Sequence, residues 1–247
     1  MRLHVTGSYL FKERPAKVMW TCLQRKRQPW ENKMTTPVNI LIGLVGLILL
    51  IVLLAFAWRF ASSRTSIPCP VWLSGLLEWE HPFTGVNRAR VIVQHLNLQP
   101  GMKVLDLGCG PGRLTIPIAE QLGPQGGVVA VDTQVGMLRQ AQEKSQAAKL
   151  NNIQFLQAGA GEGKLAHSQF DRAIMVTVLG EIVDQEAALR EIYGSLKPGG
   201  LLSVTETVFD PHFQRRDTVL RLARKVGFVE REFYGNRFVF TLNLEKN

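Results

Sequence analysis

The spacing of apolar and polar residues changes along the chain, and each change predicts a different element. Val38 to Trp58 is an unbroken run without a charged residue. At the helical rise such a run makes about 31 Å of helix, close to the ~30 Å hydrocarbon thickness of a bilayer. Ala61 to Pro70 is rich in Ser and Pro and reads as a linker. Val71 to Phe83 is aromatic and apolar (Trp72, Leu73, Leu76, Leu77, Trp79, Phe83), a pattern that fits a lid on a core or a segment lying along a membrane. Beyond it, Val86, Ala89, Val93 and Leu96 fall at helical spacing over residues 86–98. Helical patterns at Arg113–Leu122 and Met137–Lys149 then alternate with continuous apolar runs at Lys103–Leu107, Gly127–Asp132 and Phe170–Val176. Alternation of this kind predicts an α/β domain, a mostly parallel sheet covered by helices on both faces. Phe228–Tyr234 and Arg237–Leu244 flank Gly235-Asn236 and read as a hairpin. The expected layout is a basic arm over residues 1–37, a transmembrane helix over 38–58, a linker and aromatic lid over 59–85, and one domain over 86–247.

The chemistry concentrates where the first domain strand ends. Val104-Leu105-Asp106-Leu107-Gly108-Cys109-Gly110-Pro111-Gly112-Arg113 joins an apolar strand to a helix through alternating glycines. This geometry brings backbone close to a nucleotide-like ligand. The spacing is not the dinucleotide fingerprint, because Arg113 stands where its last glycine would be. Asp106 would repel a pyrophosphate, so a ligand carrying a cation fits better. The second strand ends in Asp132, whose carboxylate can accept both hydroxyls of a ribose.

Motif for motif, the segment resembles the class I S-adenosylmethionine-dependent methyltransferases. Phe170-Asp171-Arg172-Ala173-Ile174-Met175-Val176 resembles their fourth strand, and Leu196-Lys197-Pro198-Gly199-Gly200 the loop before their fifth. The resemblance covers roughly Val86 to Leu244. It implies a Rossmann-like seven-stranded sheet ending in an antiparallel hairpin, with S-adenosyl-L-methionine as cofactor. By the same resemblance, Asp106 engages the methionine end of the cofactor and the turn at Gly108, Cys109 and Gly110 passes beneath it. Gly112 fills the third glycine position, Asp132 binds the ribose, and Thr133 and Met137 lie near adenine. Met137 reads equally as core packing. Many members place an acid after strand three to meet the adenine amino group. This chain has Ala158-Gly159-Ala160 there, which leaves backbone groups near Ala160 and Gly161, or Glu162 as a substitute. Thr177 is expected at the cofactor from the end of strand four.

Thr177-Val178-Leu179-Gly180-Glu181-Ile182 resembles the Methyltransf_11/UbiE-like small-molecule branch. The Asn/Asp-Pro-Pro-Tyr motif of amino methyltransferases is absent from the sequence. The implied activity is methyl transfer to a small lipophilic acceptor, a quinone precursor or lipid-like molecule, at a membrane surface. An anchored protein lysine methyltransferase is the alternative. The intact Asp106, Gly108, Gly110 and Asp132 argue against a non-catalytic scaffold. A sulfonium supplies its own electrophile, so the protein contributes mainly positioning and desolvation. A base is needed only where the nucleophile must lose a proton. The candidates are His81, Glu181, Glu206 and His212.

Charge and cysteine usage narrow the partners. Of the +9 net charge, residues 1–33 contribute eight Lys+Arg against two Glu, which leaves +3 for the remainder. A nearly balanced domain offers no phosphate-tracking surface, so nucleic acid is not expected as a partner. Arg215, Arg216, Arg221, Arg224 and Lys225 fall on one predicted helix and read as its solvated face. Cys22, Cys69 and Cys109 have neither disulfide nor metal spacing, and no metal is expected. Cys109 reads as a small packing residue, since no His or Lys stands near enough in sequence to activate it. Ala55-Phe56-Ala57 formally fits a signal-peptidase site, but the apolar run before it is longer than a signal h-region. Arg25, Lys26, Arg27 and Lys33 precede the span, while Arg59 and Arg64 follow it. By the positive-inside rule the full arm would place the domain outside; translation from Met34 would leave it facing the cytosol, the expected location.

Overall fold

The structure, a computed structural model, describes residues 31–65, 70–75 and 85–247. They divide into two compact units with the boundary after Leu54. In the first lies most of α1 (Glu31–Thr65), which extends the expected span at both ends. Within α1, Pro37–Leu54 is long and apolar enough to cross a membrane by length and composition, and none of it is buried. Leu53 is 65% exposed and Ile42 64%.

The second unit is built on seven strands in the order β3-β2-β1-β4-β5-β7-β6. These are β1 (Lys103–Leu107), β2 (Gly127–Asp132), β3 (Ile153–Gln157), β4 (Phe170–Val176), β5 (Leu196–Thr207), β6 (Phe228–Gly235) and β7 (Val239–Lys246). β1 to β5 pair in parallel. β7 inserts antiparallel between β5 and β6. The predicted α/β class and its C-terminal hairpin are both present. The helices are α2 (Ala89–His95), α3 (Thr115–Leu122), α4 (Val135–Ala147), α5 (Gln185–Ser195) and α6 (Arg216–Val226).

Period-two alternation sends successive strand residues to opposite faces. Val104 and Ile174 pack with Ile92 of α2, Leu96 just after it, and Ile118 and Leu122 of α3. Their neighbours Leu105, Leu107, Ala173 and Met175 join the larger core with Leu189 and Ile192 of α5 and Val219 of α6. β1 is flanked by β2 on one side and β4 on the other. The chain therefore reverses direction across the sheet there, and a crevice opens beyond the carboxyl ends of these strands.

Several boundaries differ from the sequence-based expectation. The helix expected over 86–98 shortens to α2, preceded by a 3-10 turn at Gly85–Asn87. α3 starts at Thr115 rather than Arg113, since the glycine turn runs further. Lys197-Pro198-Gly199-Gly200 belongs to β5 instead of preceding it. Most of the basic cluster lies on α6, where Arg216 and Arg224 pair with Glu230 and Lys225 with Glu186. Arg224 and Lys225 are exposed, as on a solvated face, whereas Arg216 is half-buried with its guanidinium 4.8 Å from the Phe233 ring centre. Of the aromatic lid, only its start is described: Val71–Leu73 form a 3-10 turn, with Trp72 81% exposed. Trp79, His81 and Phe83 lie outside the described residues.

Candidate active site

A cavity of about 490 Å³ opens at the carboxyl ends of β1, β2 and β4. Asp106 and Asp132 both line it. Asp106 is 3% exposed, and the Thr115 hydroxyl at the start of α3 donates to its Oδ2 at 2.6 Å. Burial, with the Asp132 charge nearby, pushes Asp106 up to about 6 despite that hydrogen bond. A cation bound here would hold it ionised. Asp132 accepts from the Gly110 amide at 2.9 Å through Oδ2 and from the Gln134 amide at 2.8 Å through Oδ1. Burial raises its pKa while those amides oppose the rise. Each oxygen keeps a lone pair for a further donor.

The glycine turn is left-handed at Gly108, Gly110 and Gly112, with φ of 66°, 52° and 88°. Gly108, Cys109 and Gly110 line the cavity. A Cβ on Gly108 would lie 2.3 Å from Val178 Cγ2, so the close approach there involves a neighbouring side chain of the protein itself. Gly112 sits apart from the cavity lining. Its missing Cβ instead admits Ala141 of α4, whose Cβ would be 3.1 Å away. Gly161, also placed at the cofactor by sequence, is likewise not among the lining residues. Its φ is +94°, a Cβ would lie 3.1 Å from the Ala188 nitrogen of α5, and its amide donates to Glu191. Both glycines therefore serve turn-to-helix packing.

Thr133, Met137, Ala160 and Thr177, which the sequence places at the cofactor, line the cavity. Met137 is also 1% exposed, so the core reading and the lining reading both hold. Glu162 lines the cavity too, its pKa lowered by Lys164 at 2.8 Å and by the Gly159 amide. Thr177 carries φ 55°, which is costly for a β-branched residue. Its amide donates to Thr205 of β5 and its hydroxyl to the Val176 carbonyl. Strain held this firmly turns the chain sharply out of β4 and across the cavity.

Beyond Thr177 lies an acidic cluster. Glu181 and Asp210 line the cavity; His212 and Glu206 stand behind them. His212 Nδ1 is 3.8 Å from Glu181 Oε1 and 3.8 Å from Asp210 Oδ1. Glu206 is 1% exposed; its Oε2 accepts from the Gln214 amide at 3.0 Å, and its Oε1 has no partner. Burial, then repulsion from Asp210 and other acids, pushes Glu181 and Glu206 each up to about 8. Three of the four candidate bases thus converge on one place. Asp210, Val183 and Arg113 also line the cavity and were not singled out from sequence. The Asp210-Pro211-His212 turn was the available signal for the first.

Several solved structures share the fold. A SAM-dependent methyltransferase from Aquifex aeolicus superposes with a TM-score of 0.65 at 19% identity, covering 73% of this chain and 100% of the other. A phosphoethanolamine N-methyltransferase 2 from Haemonchus contortus, in complex with S-adenosylhomocysteine, gives 0.56 at 21% identity, over 66% of this chain and 42% of that one. In sequence, the chain is 35% identical over 112 residues to a demethylmenaquinone methyltransferase of Listeria welshimeri, covering 45% of this chain and 48% of the relative. It is 34% identical over 133 residues to the ubiquinone/menaquinone biosynthesis C-methyltransferase UbiE of Vibrio vulnificus, with 51% of each covered. The chain spans about half the length of the curated relatives it matches. Residues 98–233, more than half of the chain, match the methyltransferase-domain family Methyltransf_31. With the seven-stranded sheet and the cavity at its switch point, the chain belongs to this family, an S-adenosylmethionine-dependent methyltransferase with the class I fold.

Proposed function

We propose that the protein transfers the methyl group of S-adenosylmethionine to a small lipophilic acceptor of the quinone-precursor kind at a membrane surface. The observation that carries this reading is the two-ended cavity. Asp106, Asp132 and the glycine turn form one end, while Val178, Ile182 and Val183 line the other beside Glu181. Val183 is 91% exposed, which leaves an apolar rim at the entrance.

The residues present fit the cofactor. A buried carboxylate with one hydroxyl partner suits an ammonium group, and Asp132 has acceptor capacity for two ribose hydroxyls. Ala158 to Ala160 and Glu162 would flank adenine. When bound, the cofactor supplies a methyl group on a positively charged sulfur. The protein's own part is to hold the acceptor in line and keep water from the apolar end. The names of the curated relatives support a quinone-type acceptor. The uncharged span of α1 supports an anchor, and a start at Met34 would set the domain on the cytosolic side.

Radiolabelled methyl transfer tests the reading. The label from S-adenosylmethionine is expected in the lipid extract of membranes incubated with the full chain. Label confined to the protein fraction would favour the lysine methyltransferase alternative instead. Val71, next to Trp72, packs against the start of α4, where a Cβ on Gly136 would meet its Cγ2 at 2.9 Å. Trp72→Ser is therefore expected to raise KM for a vesicle-borne acceptor several-fold and to leave the cofactor Kd unchanged. An equal effect on a water-soluble acceptor would remove Trp72 from the entry path.

A further inference from the structure

The acidic cluster beyond Thr177 has no assigned task in the binding of the cofactor, and its geometry is built rather than incidental. Leu179–Glu181 form a 3-10 turn, and Gln185 Nε2 donates to the Leu179 carbonyl at 3.0 Å. Against this turn lies the loop that follows β5. A Cβ on Gly180 would sit 1.9 Å from the His212 carbonyl oxygen, so only glycine lets the two segments close to this distance. The loop is itself fixed. The His212 amide donates to Asp210 Oδ1 at 2.7 Å, and Gln214 Nε2 donates to the His212 carbonyl at 3.1 Å. The outcome is a carboxylate at the cavity wall, an imidazole 3.8 Å behind it, and a second carboxylate at the same distance from that imidazole.

The charge of the cavity limits what can enter. Among the described residues that line it, Asp106, Glu162, Asp132, Glu181 and Asp210 are acidic, and Arg113 is the one cation. Arg113 is held at the Asn87 carbonyl, 2.9 Å away. An acceptor bearing a phosphate or carboxylate would meet repulsion from Asp210 at this end, and from Glu181 once it ionises at about 8, whereas a neutral molecule would not. Val178, Ile182 and Val183 offer it an apolar wall. A neutral acceptor becomes a strong nucleophile by losing a proton inside the cavity, and Glu181 is placed to receive it.

We propose that Glu181, positioned by His212 and Asp210, binds the hydroxyl of a neutral phenol- or enol-type acceptor and takes its proton as the methyl group is transferred. The proposal rests on the small-acceptor reading above and specifies its acceptor. The O–H bond breaks, its electron pair stays on the acceptor, and the proton bonds to a Glu181 oxygen. That pair, on oxygen or conjugated onto the adjacent ring carbon, forms the new bond to the methyl carbon. The C–S pair remains on sulfur. If carbon is methylated, the proton on that carbon leaves and the oxygen regains the one from Glu181, so either route releases one proton. The groups facing Glu181 are Asp132 at the end of β2, Glu206 at the end of β5, and Asp210 and His212 on the loop. Burial, then the Asp210 and Asp132 charges, raise Glu181 to about 8, near the pH at which a base is most effective.

The test uses the full chain in detergent, saturated with S-adenosylhomocysteine, with naphthol and naphthyl phosphate as probes. Above the ionisation of Glu181 at about 8, naphthol is expected to bind at least about tenfold more tightly than naphthyl phosphate, and Glu181→Gln to reduce that preference severalfold while S-adenosylhomocysteine affinity stays within about threefold. With a lipid-borne quinol acceptor, kcat/KM is expected to rise with pH through the ionisation of Glu181. Glu181→Gln should lose about 10²-fold or more and abolish this limb. His212→Gln should move the limb along the pH axis rather than abolish it, which loss of fold alone would not do. Equal binding of the two probes, or an unchanged pH limb in Glu181→Gln, overturns the proposal. If the probe preference holds but lipid extract takes up no label, the hydroxyl site stands and the lipid-acceptor reading fails. If lipid is methylated equally by Glu181→Gln, the reverse is true.

Discussion

Asp132→Ala is expected to weaken S-adenosylmethionine binding by about two orders of magnitude or more. Two hydrogen bonds from ribose hydroxyls to a charged acceptor would be lost, each worth about 1.5–3 kcal/mol. The same carboxylate also ties down the glycine turn, through the Gly110 amide, and the start of α4, through the Gln134 amide. Sequence reasoning alone makes Asp132→Asn the mild control, because it keeps shape and removes only charge. The structure says otherwise. Both oxygens accept backbone N–H groups, and Asn has a single acceptor oxygen, so its amide nitrogen would face a donor. The Asn variant should therefore also lose affinity. Titration calorimetry decides both points; an unchanged Kd in the Ala variant would remove Asp132 from the ribose site.

Glu206→Gln should flatten the dependence of stability on pH. Glu206 ordinarily ionises near 4.5, and the fold raises it to about 8. Between those values the folded protein binds a proton that the unfolded chain has released. Its contribution is thus complete below about pH 4.5 and is lost as pH rises through about 8. Glu181 carries the same sign over the same window, and Asp106 adds a smaller loss toward about 6. The wild-type protein should therefore be several degrees less thermostable in mild alkali than in mild acid. A tenfold change in a protonation equilibrium corresponds to about 1.4 kcal/mol, so removing one ionisable group should recover on the order of a few kcal/mol at the alkaline end. Thermal unfolding followed by circular dichroism on both sides of neutrality measures this. Parallel pH profiles for wild type and variant would show that Glu206 ionises freely in the fold.

β1, β2 and β4 were legible in the sequence because strands of a parallel sheet buried on both faces are written as continuous apolar runs, whereas β3, with Gln154 and Gln157 exposed, carries no such run. Asp106 and Asp132 were legible for a related reason, as charged residues embedded in or ending such runs. Gly112 and Gly161 show the limit. A glycine in a motif signals that a side chain is forbidden, without saying what would collide with it. Here the obstacle is Ala141 of α4 in one case and the backbone of α5 in the other. Asp210 was illegible because its neighbours are remote in sequence. It meets Glu181 only because β4 and β5 pair in parallel, with Val176 opposite Thr205, and so deliver their exit loops to the same end of the sheet. Helix ends shifted by a few residues wherever local hydrogen bonding, as in the 3-10 turn before α2, competed with apolar spacing.

Cys109 sits inside the glycine turn at 6% exposure, and burial beside Asp106 and Asp132 pushes its thiol far above the ordinary range. A thiol in that state does not react from the closed structure, since the nucleophile is the thiolate and it cannot form there. Reaction with an alkylating reagent must wait until the turn opens. The labelling rate at Cys109 therefore measures the opening equilibrium of this turn rather than the acidity of the sulfur. Any ligand that grips the turn shifts that equilibrium by mass action. The residue between the two glycines is in effect a built-in clock for how tightly the site is shut.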